Sequence, residues 1–164
     1  MAAEGIGSRV QDEYGDLTHR IIGAAMAVHT TLGPGFPEQV YQKALAIALS
    51  RRGIGYQQEY PVCMSYEGIE LGDFYLDLMV ENRVVVELKA VEQLSSVHQH
   101  QVISYLTATG REVALLFNFG AGSLEHKRIL PPRSVQLSKA YQLRLGAWRS
   151  APTQSPESAE SADE

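Results

Sequence analysis

The 164-residue sequence predicts an α/β domain in which a mixed central sheet is flanked by helices, with the element order ααβββαβ. Two observations support this fold class. The chain opens with two segments of helical periodicity, and residues 56–91 then change to the alternating, β-branched pattern of strands. After one more helical segment, residues 112–119 form an almost continuously apolar run, which is typical of a strand buried on both faces.

Two helices are predicted before the first strand. The first runs from an N-cap at Asp16 to Thr31 and is apolar nearly all round, which indicates deep burial. The second begins near Pro37, because proline suits the first helical position, and runs to about Arg52.

Three strands are predicted to follow the helices. Residues 57–66 and 69–80 form the first two, and residues 84–91 form a third that is rich in valine. Residues 112–119 supply the buried strand, and residues 128–130 are a candidate edge strand.

Two further helices complete the predicted order. One spans residues 95–109 and ends at Gly110. The other is an extra C-terminal helix that Ser134 could cap. Its apolar residues fall on one stripe: Leu137, Tyr141, Leu145 and Trp148. We expect the last three of these either to cap the core or to form a self-association face.

The sequence divides into four predicted segments. Residues 1–13 are expected to be a flexible arm, and residues 14–130 are expected to be the main domain. Residues 131–149 form a basic amphipathic helical extension, and residues 150–164 form a disordered acidic tail, because their composition cannot support a core.

Charge is distributed unevenly along the chain. The net charge is −5, but the last fourteen residues contain four acids and no base. Residues 126–149 contain six bases and no acid, which makes a basic segment available to phosphates. A solvated helix face is the alternative interpretation of that segment.

The sequence carries no targeting signal that we recognise. No apolar run reaches the roughly 18–20 residues that a membrane span needs, so no membrane partner is expected. The single cysteine, Cys63, cannot form an internal disulfide, and a cytoplasmic location is therefore expected.

The second and third predicted strands bring chemistry together. Asp77 lies on one strand, and Glu87 and Lys89 share a face of the next. If the turn spans residues 81–83, Asp77 lies directly opposite Glu87. A two-residue turn would instead pair Asp77 with Val86 and direct Glu87 to the other face. The face of the second strand away from Asp77 is predicted to be apolar: Leu76, Leu78 and Val80.

Two adjacent carboxylates beside an ammonium form a candidate metal site. Close carboxylates repel unless a proton or a cation lies between them, and hard oxygen ligands suit Mg²⁺ or Mn²⁺. The alternative is an exposed strand face on which Glu87 and Lys89 form a surface pair worth under about 1 kcal/mol. The strand is otherwise apolar enough to be central, and charges on a central strand need partners.

Asp77 and Glu87-Leu88-Lys89 match the motif of the PD-(D/E)xK nuclease superfamily, with Leu76 in the place of its proline. The chain further resembles one branch, the GxxExxY family, in Gly35, Glu38 and Tyr41. The resemblance covers about residues 17–130 and implies a restriction-endonuclease-like core.

The resemblance also implies roles for residues outside the hairpin. Glu38 resembles the helix glutamate that serves as an extra metal ligand, although it could merely complement the helix dipole. Tyr41, one turn later, could hydrogen-bond a site carboxylate or simply pack. Gln101 and Tyr105 have the QxxxY spacing of RecB-type nucleases and share a helix face, where a surface amide and a packing tyrosine are the alternative.

The function implied is a Mg²⁺- or Mn²⁺-dependent nuclease that cleaves DNA, or else RNA, with Asp77, Glu87 and Lys89 as the catalytic core. Two alternatives stay open. One is a catalytically silent nucleic-acid-binding or assembly module that keeps the fold, and the other is an enzyme for a different phosphoester. The helix over residues 134–149 is a candidate surface for a second copy or a protein partner.

Overall fold

A computed structural model describes residues 5–152, without the side chain of Asp12. The first four residues of the predicted arm, and the predicted acidic tail from residue 153 onward, lie outside this range. The helices are α1 (Ile6–Leu32), α2 (Glu38–Arg51), α3 (Ser96–Thr109), α4 (Arg133–Gln136) and α5 (Lys139–Ser150). The strands are β1 (Tyr56–Val62), β2 (Ser65–Tyr66), β3 (Ile69–Glu70), β4 (Phe74–Val80), β5 (Val84–Lys89), β6 (Val113–Asn118) and β7 (Glu125–Ile129).

The sheet confirms the predicted α/β class. Five strands lie in the order β1-β4-β5-β6-β7. The β5–β6 pair is parallel, with α3 in the connection, and the other neighbours are antiparallel. The first two predicted strands are each shorter than expected, because β2 and β3 between them form a separate small hairpin.

Helices cover both faces of the sheet. One buried cluster packs α1 and α2 against Leu78, Val80 and their neighbours, and a second packs α3 against Met79 and Val85. Leu76, which was predicted to share the face of Leu78, belongs instead to the α3 cluster. The alternation of β4 therefore breaks at Asp77, between Leu76 and Leu78.

The first helix corrects the prediction of a flexible arm. It begins at Ile6 rather than after Asp16, and Asp16 is an exposed residue inside the helix. Val10 and Tyr14 are buried in the core, at 0% and 2% exposed. The helix extends because burying these two side chains against the sheet outweighs the polar composition around them.

An ion cluster around one buried glutamate ties α1 and α5 to the sheet. Glu112, at the start of β6, is fully buried and forms ion pairs with Arg9 of α1 and Arg149 of α5. Tyr14 donates a hydrogen bond to the same carboxylate at 3.3 Å. Burial alone would raise the pKa of Glu112, but the two arginines outweigh it and hold that pKa below its usual value.

The C-terminal extension packs on its own chain. Tyr141 is buried and donates to the Arg111 carbonyl at 2.9 Å. Trp148 donates to the Asn82 carbonyl at 3.0 Å, and the Arg111 guanidinium lies 4.7 Å from its ring centre. Of the two predicted roles for this stripe, these contacts are those of a cap on the core. The approach is close, because a Cβ at Gly110 would overlap the backbone of Arg144.

No helix within residues 5–152 is long and apolar enough to cross a membrane.

Replacing Glu112 should reveal the stabilisation that the ion cluster supplies. We expect Glu112→Gln to lower the free energy of unfolding at pH 7 by about 2–3 kcal/mol, because two guanidinium groups lose a buried partner. Since the folded pKa of Glu112 is depressed, its stabilisation is complete above the unfolded pKa of about 4.3 and is lost as the pH falls through the folded value. Urea unfolding of both proteins between pH 3 and pH 7 measures this.

Glu13→Gln is the matched control, because Glu13 contacts the same two arginines at 3.3 and 3.4 Å but is exposed. We expect it to cost under about 1 kcal/mol. Equal losses for the two variants would contradict the role given to Glu112.

Candidate active site

A three-residue turn sets the register of the β4–β5 hairpin. Val80 pairs with Val84, and Leu78 pairs with Val86. The residues between form the turn, in which Glu81 and Asn82 have positive φ angles of 52° and 54°. This is the register that the sequence required, and it places Asp77 opposite Glu87.

Asp77 and Glu87 face each other across β4 and β5, a position called here the rung of Asp77. At this rung, hydrogen bonds to side chains replace the hydrogen bonds between the two backbones. The Asp77 N–H donates to Glu87 Oε1 at 2.8 Å, and the Leu88 N–H donates to Asp77 Oδ2 at 2.8 Å. Each carboxylate is therefore fixed by the backbone of the opposite strand. Each also keeps a second oxygen for another partner.

Burial makes negative charge on this carboxylate pair unfavourable unless positive charge lies close to it. Glu87 is only 3% exposed, and burial followed by repulsion from Asp77 raises its pKa. Burial also raises the pKa of Asp77, although the Leu88 N–H and the Lys89 charge oppose it. Two carboxylates in this position bind a proton or a cation.

Glu38 and Lys89 lie within electrostatic reach of the pair. Glu38 is the first residue of α2 and is half-buried. Burial raises the pKa of Glu38, repulsion from Asp77 raises it further, and Lys89 lowers it. The structure therefore groups the predicted residues Glu38, Asp77, Glu87 and Lys89 at one end of the sheet.

The donor set fits a hard divalent cation that keeps much of its own water. Within residues 5–152, no group of three or more His, Cys, Asp or Glu side chains is arranged to hold a metal ion. Mg²⁺ normally takes only one or two protein carboxylates, and the pair of Asp77 and Glu87 matches that number. Glu38 stands beside that pair rather than within a ready three-ligand set.

Tyr41 secures the loop from which α2 begins. Its hydroxyl donates to the Gly33 carbonyl at 2.6 Å and accepts from the Phe36 N–H at 3.2 Å. Its ring stacks on Phe119 with centroids 4.7 Å apart. Tyr41 thus fixes the loop just before Glu38 and makes no hydrogen bond to a site carboxylate. Gly35 lies in this loop with a φ of 110°, which favours glycine.

Gln101 and Tyr105 form a connected pair on α3. The Gln101 amide donates to the Tyr105 hydroxyl at 3.3 Å, and that hydroxyl donates to the Tyr75 carbonyl at 3.3 Å. Burial raises the pKa of Tyr105, and the charges of Glu87 and Asp77 raise it further. The pair therefore lies beside the carboxylates and anchors the start of β4.

Gln42 and Glu59 lie at the site but were not among the residues that the sequence predicted. Gln42 is buried, and its amide donates to Glu59 Oε1 at 3.0 Å and to the Asp77 carbonyl at 3.2 Å. Gln42 follows Glu38 by four residues, so the shared helix face was a signal that could have found it. No sequence signal marks Glu59, because its role depends on the fold.

Asn118 was also missed, and it fixes the chain that follows Lys89. Its fully buried Oδ1 accepts from the Val91 and Gly120 N–H groups, each at 3.0 Å. Phe119 N–H donates to the Lys89 carbonyl at 2.8 Å. A Cβ at Gly120 would overlap the backbone of Val91, so glycine is required for this contact.

Removing the Tyr41 hydroxyl should loosen the loop while leaving the core packed. We expect Tyr41→Phe to lower the free energy of unfolding by about 1–2 kcal/mol, because the Gly33 carbonyl and the Phe36 N–H lose their partner. Urea unfolding measures this loss. Hydrogen exchange should show faster exchange at Phe36 than in the wild type.

Tyr56→Phe provides a tyrosine control that lies outside this loop, and we expect no faster exchange at Phe36 there. Unchanged exchange at Phe36 in Tyr41→Phe would show that the hydroxyl does not hold the loop.

Comparison with known proteins identifies the family. No curated protein matches the chain significantly. The chain is similar to a solved structure, "Crystal structure of SSO0001", at 16% sequence identity, with 87% of this chain and 70% of that chain covered and a TM-score of 0.45. The family model of the PD-(D/E)XK nuclease superfamily matches residues 15–129. That match spans most of the sequence and includes the hairpin, and the chain belongs to the PD-(D/E)XK nuclease superfamily.

Proposed function

We propose that this protein is a divalent-metal-dependent nuclease that hydrolyses phosphodiester bonds in nucleic acid, with DNA as the favoured substrate and RNA as the alternative. One observation carries the proposal. The Glu87 carboxylate accepts the Asp77 N–H and the Asp77 carboxylate accepts the Leu88 N–H, at 2.8 Å each, beside Lys89, with Glu87 buried and Asp77 half-buried. A purely structural role would not require a buried carboxylate to face a second, half-buried carboxylate.

The chain's own residues have distinct roles in the proposed reaction. Asp77 and Glu87, with help from Glu38, would hold Mg²⁺ or Mn²⁺. When bound, the metal polarises a phosphoryl oxygen and lowers the pKa of its water. Lys89 would hold the attacking water or stabilise the negative charge that grows on the phosphoryl oxygens.

We also assign the chain to the GxxExxY branch of the superfamily. Gly35, Glu38 and Tyr41 act together, since Tyr41 secures the loop that contains Gly35 and leads into Glu38. This coupling gives a physical reason for the spacing of the three residues. It supports the assignment independently of the hairpin motif.

The basic C-terminal helix does not line the proposed site. Trp148 of α5 contacts Asn82 in the turn, and Glu87 lies four residues, about 13 Å of extended strand, beyond the end of that turn. Lys127 is better placed, because it pairs with Leu116 at the same rung where Leu116 pairs with Glu87. It is exposed on the edge strand, about 10 Å from Glu87.

A catalytically silent binding or assembly module is the second candidate. Residues 53–82, which include β1 and β4, contain six acids and no lysine or arginine. Phosphates approaching this side meet repulsion, so tight substrate binding would need a partner that supplies bases. We therefore keep this alternative as an outcome of the first experiment below.

Loss of either Lys89 or the Asp77 charge should abolish turnover. We expect Lys89→Ala and Asp77→Asn each to lower the cleavage rate at least about 100-fold with Mg²⁺ or Mn²⁺. The measurement is cleavage of single- and double-stranded DNA and RNA, with and without a chelator. Circular dichroism establishes that each variant is folded.

Lys139→Ala is the matched lysine control, since Lys139 is exposed on α5, and its activity should equal that of the wild type. Cleavage that persists in both site variants would contradict the mechanism. A wild type that binds nucleic acid and never cleaves it would establish the binding module instead.

Lys127 should contribute to binding rather than to chemistry. We expect Lys127→Ala to raise KM several-fold without changing kcat, and to reduce the slope of log affinity against log salt by about 1. Steady-state kinetics and binding titrations across salt concentrations measure both effects. An unchanged salt slope would exclude a phosphate contact at Lys127.

A further inference from the structure

Both of Asp77's neighbouring strands leave its rung unpaired in the backbone ladder. On the β5 side, the ladder stops at Leu78 and Val86. On the β1 side, Gln58 pairs with Leu78 and Tyr60 pairs with Leu76, and the ladder skips the rung between them. The residue opposite Asp77 on that rung is Glu59.

Glu59 has an unusual backbone for a residue inside a strand. Its φ is +48°, whereas the other non-glycine residues with positive φ in the described range lie in turns: Glu67, Glu81 and Asn82. A left-handed glutamate costs free energy that the surroundings must supply, and such residues cluster at functional sites.

The strands change face across this rung. In β1, Tyr56 packs against the α1–α2 cluster, and Tyr60 packs against the α3 cluster. In β4, Leu78 belongs to the first cluster and Leu76 to the second. Residues two or four apart in a regular strand would share a face, so the left-handed residue coincides with a local rotation of both strands.

Gln42 fills the gap that the skipped rung leaves. Its single amide nitrogen donates to the Asp77 carbonyl at 3.2 Å and to Glu59 Oε1 at 3.0 Å, which uses both of its hydrogens. Gln42 is 8% exposed, so these bonds are protected from water. Glu38 lies one helical turn earlier on the same side of α2.

We propose that Gln42 and Glu59 are positioning residues that seat α2 on the rung of Asp77 and thereby hold Glu38 beside the metal-binding carboxylates. The backbone of Glu59 leaves the Asp77 carbonyl free of a partner on β1. The side-chain oxygen of Glu59 accepts the second hydrogen of the Gln42 amide. The acceptor, rather than the negative charge, is what Glu59 contributes. This inference rests on the proposed metal-dependent function.

The first test is the affinity of the full chain for Mn²⁺, measured by isothermal titration calorimetry. We expect Gln42→Met, which keeps the length and loses both donors, to raise the Kd about ten-fold. Glu59→Ala should have a similar effect, whereas Glu59→Gln, which keeps an acceptor oxygen, should stay within about two-fold of the wild type. KM for nucleic acid should be unchanged in all three variants.

A double-mutant cycle tests whether Gln42 acts through Glu38. In a Glu38→Gln background, the effect of Gln42→Met on the Kd should shrink to within about two-fold. Without the Glu38 carboxylate, the position of α2 no longer affects the affinity for the metal. Full additivity would overturn the proposal. Equal losses for Glu59→Gln and Glu59→Ala would also overturn it, by showing that the Glu59 charge acts directly.

The wild-type titration separates failure of this inference from failure of the proposed function. If the wild type binds no Mn²⁺ and cleaves nothing, both fall together. If the wild type binds Mn²⁺ and Gln42→Met binds it equally well, the metal site stands and only the positioning role is overturned. Urea unfolding of each variant identifies losses of affinity that come from a disrupted fold.

Discussion

The site depends on the two backbone hydrogen bonds that hold the Asp77 and Glu87 carboxylates across the hairpin. Each carboxylate accepts a backbone N–H from the opposite strand at 2.8 Å, where the ladder of the sheet would otherwise continue. A buried N–H needs an acceptor, and a buried carboxylate needs donors, so the two needs are met together. The geometry is therefore built into the hairpin itself. The three-residue turn makes these hydrogen bonds possible, because a one-residue slip would direct Glu87 to the other face.

Two buried glutamates, one in β5 and one just before β6, have opposite electrostatic surroundings. Glu112 is 0% exposed and Glu87 is 3% exposed, yet their pKa values shift in opposite directions. Burial raises the pKa of both, but two guanidinium groups reverse the shift at Glu112, whereas at Glu87 the Asp77 carboxylate adds to it. One glutamate keeps its charge, pairs with two arginines and fastens α1 and α5 to the sheet. At the other, the Lys89 charge opposes the shift without reversing it.

Structural features that depend on the local sequence pattern were predicted correctly. Features that depend on contacts between distant parts of the sequence were not. Period-two alternation and a three-residue turn were enough to place Asp77 opposite Glu87, because a strand register follows from residues close in sequence. The predicted start of α1 was wrong because the helix extends over Val10 and Tyr14, whose burial in the core depends on residues far away in the sequence. The face predicted for Leu76 was wrong for a similar reason. The change of face coincides with the left-handed conformation of Glu59 in the neighbouring strand, and a glutamate in a strand pattern gives no sign of positive φ.

The same rung explains why the helix glutamate and the hairpin carboxylates can act together although they belong to different elements. Glu38 begins α2, and a helix end on a loop would ordinarily be free to shift by more than a metal ligand tolerates. Here the loop is held on one side by the Tyr41 hydroxyl and the helix is held on the other by the Gln42 amide, which reaches the Asp77 backbone itself. The position of α2 is thus fixed relative to the strand that carries the Asp77 carboxylate, rather than relative to the core in general. Because a strand with an unbroken ladder would leave no carbonyl for Gln42, the irregularity at Glu59 is a condition of this arrangement.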